Sequence, residues 1–127
     1  MGVIYLTPIG KFLRKLRIDE NEKLADMADR MDFTPAYLSA IETGKRDVPK
    51  QFIELVTECY SLSEFQIQDL EISCIKTQNS VTIKYPDTCK EKSFFVETAF
   101  QLKRKFALLN KVQLEKIRNV LLEVEND

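Results

Sequence analysis

The stretch Met27-Ala28-Asp29-Arg30-Met31-Asp32-Phe33-Thr34-Pro35-Ala36-Tyr37-Leu38-Ser39-Ala40-Ile41-Glu42-Thr43-Gly44-Lys45-Arg46 carries two helix signals back to back. Leu24, Met27, Ala28 and Met31 recur at helical spacing, which predicts a short helix from about Lys23 to Met31. Asp32-Phe33 breaks that pattern. Thr34-Pro35 restarts it with an N-cap residue followed by a proline at the first helical position, two start signals that support each other. Leu38 and Ile41 then share an inner face, and Gly44 ends the helix as a C-terminal glycine does. The stretch therefore reads as two short helices joined by a tight turn. Ala28 is small enough to let the second helix cross the first closely. Asp32 stands where such turns usually carry glycine, and Asp tolerates positive φ better than most residues.

The helical pattern extends to both sides. Upstream, Ile9, Phe12, Leu13 and Leu16 form an i, i+3, i+4, i+7 stripe over Pro8–Ile18, with Thr7 as N-cap and Pro8 in the first turn. Downstream, a fourth helix is expected from Pro49, with Phe52, Ile53, Val56 and Cys59 or Tyr60 on its apolar side. A fifth is expected from Ser63, with Phe65, Ile67, Leu70, Cys74 and Ile75. Thr77-Gln78-Asn79-Ser80 is a polar break. Val81-Thr82-Ile83-Lys84-Tyr85 alternates at period two and ends at Pro86, the pattern of a single strand. A lone strand leaves its backbone unpaired, so a twin chain is its expected partner. Two closing helices carry Phe95, Ala99, Leu102 and Phe106, then Leu114, Ile117, Leu121 and Val124. The expected fold is all-α. Residues 1–77 form a five-helix domain, and residues 78–127 an extension of one strand and two helices. That extension is too short to be stable alone, and is expected to serve dimerisation or partner binding.

Composition narrows the function. The chain has 127 residues, 44% apolar and 31% charged, the balance of a globular protein. No apolar run approaches the roughly 20 residues of a membrane span. Met1–Gly10 lacks a basic region followed by a cleavage site, so a cytoplasmic location is expected. Lys and Arg number 19 against 20 Asp and Glu, so any nucleic-acid contact must come from a local basic face. There is no histidine, which removes the commonest general acid–base group and zinc ligand. Cys59, Cys74 and Cys89 are scattered without a C-x-x-C pair, and read as small apolar side chains rather than a metal site. Three glycines form no phosphate-cradling loop. Neither a cofactor nor a metal nor an enzymatic activity is expected.

Two helices about a tight turn, the second with an outward side, make the helix-turn-helix arrangement, in which the second helix enters the DNA major groove. Residues 9–60 resemble the phage-repressor-like (Cro/cI, XRE) helix-turn-helix family. The stretch Tyr37-Leu38-Ser39-Ala40-Ile41-Glu42-Thr43-Gly44-Lys45-Arg46, with Pro49 after it, carries the resemblance. The tail from Phe100-Gln101-Leu102-Lys103-Arg104-Lys105-Phe106 is similar to the C-terminal extension of one group of small bacterial and mobile-element regulators in that family. The resemblance implies a lambda-repressor-like fold, double-stranded DNA as partner, and a homodimer on an inverted-repeat operator. It also implies repression by blocking polymerase.

The outward positions of the second helix are Thr34, Pro35, Ala36, Ser39, Ala40 and Thr43. The resemblance sets Pro35, Ala36, Ser39 and Ala40 against base edges. Many relatives carry Gln, Arg or Asn there. This chain carries small groups, suited to thymine methyls and one hydroxyl bond, so DNA shape must carry much of the specificity. Candidate phosphate contacts are Lys45, Arg46, Lys50, Tyr37, Lys11 and Arg14. The first turn of the helix before the motif often carries a phosphate-binding glutamine in this family, and here that position is Leu24. The resemblance also implies an ion pair between Arg17 and Glu42. The acidic stretch with Asp19, Glu20, Glu22, Asp26, Asp29 and Asp32 is expected to face away from DNA. Lys103-Arg104-Lys105 splay around a helix rather than forming one stripe, which favours a solvated face. Val81, Ile83, Leu114, Ile117, Leu121 and Val124 are the candidate dimer or partner seam. The competing reading is an antitoxin or immunity-type protein, which holds a partner protein encoded nearby through its C-terminal helices and autoregulates its operon.

Overall fold

Thr7 caps the first helix, its hydroxyl accepting the Gly10 N–H at 3.1 Å, and Pro8 occupies the first turn without losing a needed donor. The structure is a computed structural model that describes residues 5–84 and 90–124. Its helices are α1 (Pro8–Glu20), α2 (Leu24–Arg30), α3 (Pro35–Glu42), α4 (Phe52–Tyr60), α5 (Glu64–Gln78), α6 (Lys92–Lys105) and α7 (Lys111–Leu122). A 3-10 turn, Phe106–Leu108, follows α6. Contacts divide the chain into two units, Met1–Thr82 and Ile83–Asp127.

The first unit closes around one core. Ile9, Leu13 and Leu16 of α1 meet Met27, Ala28, Met31, Leu38 and Ile41, and Phe52, Val56, Leu62, Leu70 and Cys74 complete it. Ala28 is fully buried, as the close α2–α3 crossing requires. The turn between α2 and α3 is a Schellman motif: Phe33 N–H donates to Ala28 O at 2.8 Å and Asp32 N–H to Asp29 O at 3.2 Å. Asp32 sits at φ +57°, so the aspartate takes the left-handed position that glycine usually fills. The same motif ends α3, where Lys45 N–H donates to Ala40 O at 2.9 Å, Gly44 N–H to Ile41 O at 3.3 Å, and Gly44 has φ +82°.

Two expectations for this unit are corrected. The fourth helix starts at Phe52 rather than at Pro49, because Gln51 adopts φ +61° and cannot belong to a right-handed helix. The apolar residues of α5 do not form one side. Leu70 and Cys74 are buried with Ile67 packed beside them, whereas Phe65, Ile72 and Ile75 point away from the core.

In the second unit, Asn110 and Gln113 form a reciprocal capping box at the start of α7. No described residue of α6, the 3-10 turn or α7 is buried. The strand expected over 81–85 is absent from its described part: Val81 to Lys84 have irregular backbone, and Tyr85 lies outside the described residues. The physical reason is the one that made a lone strand suspect, since no other described residue forms a strand for that segment to pair with. Cys89 also lies outside the described residues.

The left-handed Asp32 sets a test. An L-residue in that region costs about 1 kcal/mol, which glycine avoids at the expense of a more flexible unfolded chain. Asp32→Gly is expected to stabilise the protein by about 0.5 kcal/mol, a rise in Tm of roughly 2–4 °C for a domain of this size. Thermal unfolding followed by circular dichroism measures it, and a lower Tm contradicts the turn geometry.

Candidate nucleic-acid interface

α3 sorts its residues onto two faces. Leu38, Ile41 and Glu42 are buried, while Ala36, Ser39, Ala40 and Thr43 form an i, i+3, i+4, i+7 stripe on another side. Ala36 is exposed with Thr34 and Pro35, whereas Ser39, Ala40 and Thr43 are half-buried. The Thr34 hydroxyl caps the helix by accepting the Tyr37 N–H at 3.1 Å. The Thr43 hydroxyl donates to Ser39 O at 2.9 Å, so it points along its own helix. What remains is a small-residue surface. Tyr37 is half-buried, its ring edge-on to Phe33 at 5.0 Å, and Phe33 stacks on Phe52 at 6.4 Å between centroids. These rings tie α3 to the turn before it and to α4.

The far end of α3 is clamped to α1. Arg17 and Glu42 form a two-pronged pair, Nη1 to Oε2 and Nη2 to Oε1, the latter at 3.0 Å. Both residues are buried, and Arg17 Nη1 also lies 3.3 Å from Met27 Sδ. The backbone repeats the tie: Glu42 O accepts the Thr7 N–H at 3.0 Å and the Thr7 hydroxyl at 2.9 Å. Gly10 lets the two helices meet, because a Cβ on it would lie 2.3 Å from Glu42 O. The sequence reading found the ion pair but missed Gly10 and the second role of Thr7. A glycine inside a good helical pattern was the available signal, since it weakens the helix unless a close approach needs it.

Lys45 and Arg46 follow directly. Their N–H groups both donate to Ala40 O, at 2.9 and 3.1 Å, so the Schellman turn fixes where the two exposed cations leave the helix. Lys50 and Arg14 are exposed as well. Lys11 is exposed on α1 and lines a groove between α1 and α5. Leu24, the first residue of α2, is half-buried. Of the acidic stretch, Glu22 is drawn inward: it accepts from Arg30 and from the Tyr60 hydroxyl, the latter at 2.6 Å, with Arg30 lying 4.5 Å over the Tyr60 ring. Burial, and then the hydrogen bond to Glu22, raise the Tyr60 pKa above its ordinary value. Asp19, Glu20, Asp26, Asp29 and Asp32 are exposed.

The remaining candidates lie outside this face. Val81, Ile83, Leu114, Leu121 and Val124 are exposed, and Ile117 is half-buried. The Lys103–Lys105 run is exposed, with the Arg104 guanidinium 5.7 Å over the Phe100 ring. Burial, then the charge of Glu71, push the Cys74 thiol up to about 11, and burial also raises Cys59. Neither is disposed to act as a thiolate near neutral pH. Among the described residues, no three His, Cys, Asp or Glu side chains converge as a metal site.

The clamp generates two expected outcomes. Glu42→Ala leaves Arg17 buried without its partner and is expected to destabilise by about 3–5 kcal/mol, while Arg17→Met/Glu42→Leu recovers most of that loss. Gly10→Ala forces α1 and α3 apart and is expected to destabilise by about 1–3 kcal/mol. Urea unfolding of the three variants measures both. A double variant as weak as Glu42→Ala contradicts the pairing, and a neutral Gly10→Ala contradicts the close approach.

Comparison with known proteins agrees with the α2–α3 geometry. No curated protein and no solved structure gives a significant match, and no described helix is long and apolar enough to cross a membrane. Residues 8–70 match the family model of the helix-turn-helix domain, the arrangement that α2 and α3 build here around Asp32.

Proposed function

We propose that the protein is a cytoplasmic, sequence-specific DNA-binding regulator of the phage-repressor-like (Cro/cI, XRE) type, acting by binding rather than catalysis. The observation that carries this reading is α3 itself: a small-residue stripe on a clamped helix, followed at once by two exposed cations on a fixed turn. Ala36, Ser39 and Ala40 would lie against base edges, with Thr34, Pro35 and Thr43 beside them. Lys45, Arg46 and Lys50 would hold phosphates, with Tyr37, Arg14 and Lys11 as further contacts. A stripe this poor in bidentate donors favours shape readout over base-edge bonding.

The regulator acts as a homodimer on an inverted repeat, its two α3 helices about one helical turn apart on the DNA. It represses by occluding polymerase. The seam lies in the C-terminal unit, whose described residues are nowhere buried and whose Leu114, Leu121 and Val124 remain exposed. That exposure equally fits the antitoxin-type reading, in which a different protein covers the seam. Co-purification with the product of an adjacent gene, in place of a homodimer, selects it.

Selection from a random DNA library, followed by affinity in a salt series, tests the main reading. A palindromic site is expected. Lys45→Ala/Arg46→Ala is expected to flatten the log–log salt slope by about 1 per lost phosphate contact, thus about 4 for a dimer. Failure to enrich any site at low salt, with a folded protein, overturns it.

A further inference from the structure

We propose that Thr77, in the last turn of α5, is a positioning residue for the candidate DNA face: it holds the first turn of α1, and through that turn the exit of α3 that carries Lys45 and Arg46. A helix leaves its first N–H groups without partners inside the helix. In α1, Pro8 has no N–H, the Gly10 N–H goes to the Thr7 hydroxyl at 3.1 Å, and the Lys11 N–H goes to Thr7 O at 2.9 Å. The Ile9 N–H remains, on a fully buried residue. It donates to the Thr77 hydroxyl at 3.0 Å, across 68 positions of sequence. That hydroxyl donates to Ser73 O at 2.7 Å, which fixes where its oxygen lies.

The first turn of α1 is therefore held from two directions. Thr77 holds it from α5. Towards α3, Thr7 gives its N–H and its hydroxyl to Glu42 O, and a Cβ on Gly44 would lie 3.1 Å from the Thr7 methyl. Arg17 grips the Glu42 carboxylate, but it is Thr7 that meets the backbone running on through Gly44 to Lys45 and Arg46. Thr7 keeps its place while the first turn of α1 is wound, and Thr77 supplies the bond that this turn cannot make for itself. Opening at Ile9 frays the turn, moves Thr7 and loosens the exit of α3.

Thr77 also lies shortly before Thr82, where the first unit ends. The segment that leads to the C-terminal unit thus leaves from the turn that fixes the reading face. The consequence for DNA rests on the proposed DNA binding; the positioning itself does not. The end of α2 provides an internal control. Asp32 and Phe33 close α2 with the same Schellman bonds that Gly44 and Lys45 make at the end of α3, but among the described residues that turn bonds to neither Thr7 nor Thr77.

Amide hydrogen exchange of the full chain, followed by NMR without DNA, tests the positioning. Thr77→Val keeps the shape and removes the hydroxyl, whereas Thr77→Ser keeps the hydroxyl. Thr77→Val is expected to speed exchange about tenfold at Ile9 and at least about threefold at Thr7, Lys45 and Arg46, with Asp32 and Phe33 within about twofold of wild type. Thr77→Ser is expected to stay near wild type at all six. Unchanged exchange at Lys45 and Arg46 makes Thr77 at most a local cap of α1 and overturns the proposal. An equal rise at Asp32 and Phe33 marks general loosening and overturns it too, as does a Thr77→Ser that behaves like Thr77→Val. On a duplex that binds the wild type, Thr77→Val is expected to lower the log–log salt slope towards that of Lys45→Ala/Arg46→Ala, and to add little when combined with it. A slope that stays at the wild-type value overturns the assignment to the DNA face. A wild type that binds no duplex overturns the DNA reading instead, and the exchange rates still decide the positioning.

Discussion

The meeting of α1 with the last turn of α3 is the constraint on which the first unit depends. Three different ties converge on Glu42: the Arg17 guanidinium on its carboxylate, and the Thr7 hydroxyl and N–H on its carbonyl. Gly10 makes the convergence sterically possible. A short helix is marginal by itself, because nucleation is unfavourable and eight residues provide few internal bonds. α3 is held instead at both ends, by the Thr34 cap and Phe33–Tyr37 packing at its start and by this clamp at its finish. Its outer stripe needs no large side chains to keep it in place.

That division of labour explains why the outer residues are small. The inner residues, the Thr34 cap and the clamp fix position, so the side chains of Ala36, Ser39 and Ala40 are left without that duty, and their small size lets a partner surface approach the helix backbone closely. Long polar side chains at those positions would read bases by bidentate bonds and hold the backbone farther off. On the proposed reading, a closely seated, smooth helix senses groove width and deformability more than base identity.

Much of this was legible in the sequence where the governing physics is local. Thr7, Thr34 and Gly44 announce helix ends by their own chemistry, and Asp32 could be placed at a left-handed turn because its neighbours on both sides were helical. What was not legible depends on distant partners. Gly10 looks like a weak point of α1 until Glu42 O stands beside it. Gln51 has no composition that marks it as left-handed. The two sides of α5 merge into one apolar list unless the core has already chosen Leu70 and Cys74. The period-two run at Val81 met the pattern for a strand, yet pattern alone supplies no neighbouring strand to pair with.

The charge distribution argues for assembly. The first 82 residues hold ten Lys and Arg against thirteen Asp and Glu. Arg17 is neutralised by Glu42 and Arg30 by Glu22, so the cations free to meet a phosphate near α3 reduce to a few local ones. A unit with net negative charge gains no general attraction to a polyanion, so on the proposed reading its background affinity for arbitrary DNA is low. Low background improves discrimination, but it leaves a single half-site weakly held. Joining two such units converts the second contact into an intramolecular one with a high effective concentration, which restores affinity without adding charge. On the proposed reading, the acidic first unit and the exposed C-terminal helices are two sides of one physical problem, which pairing of two chains solves.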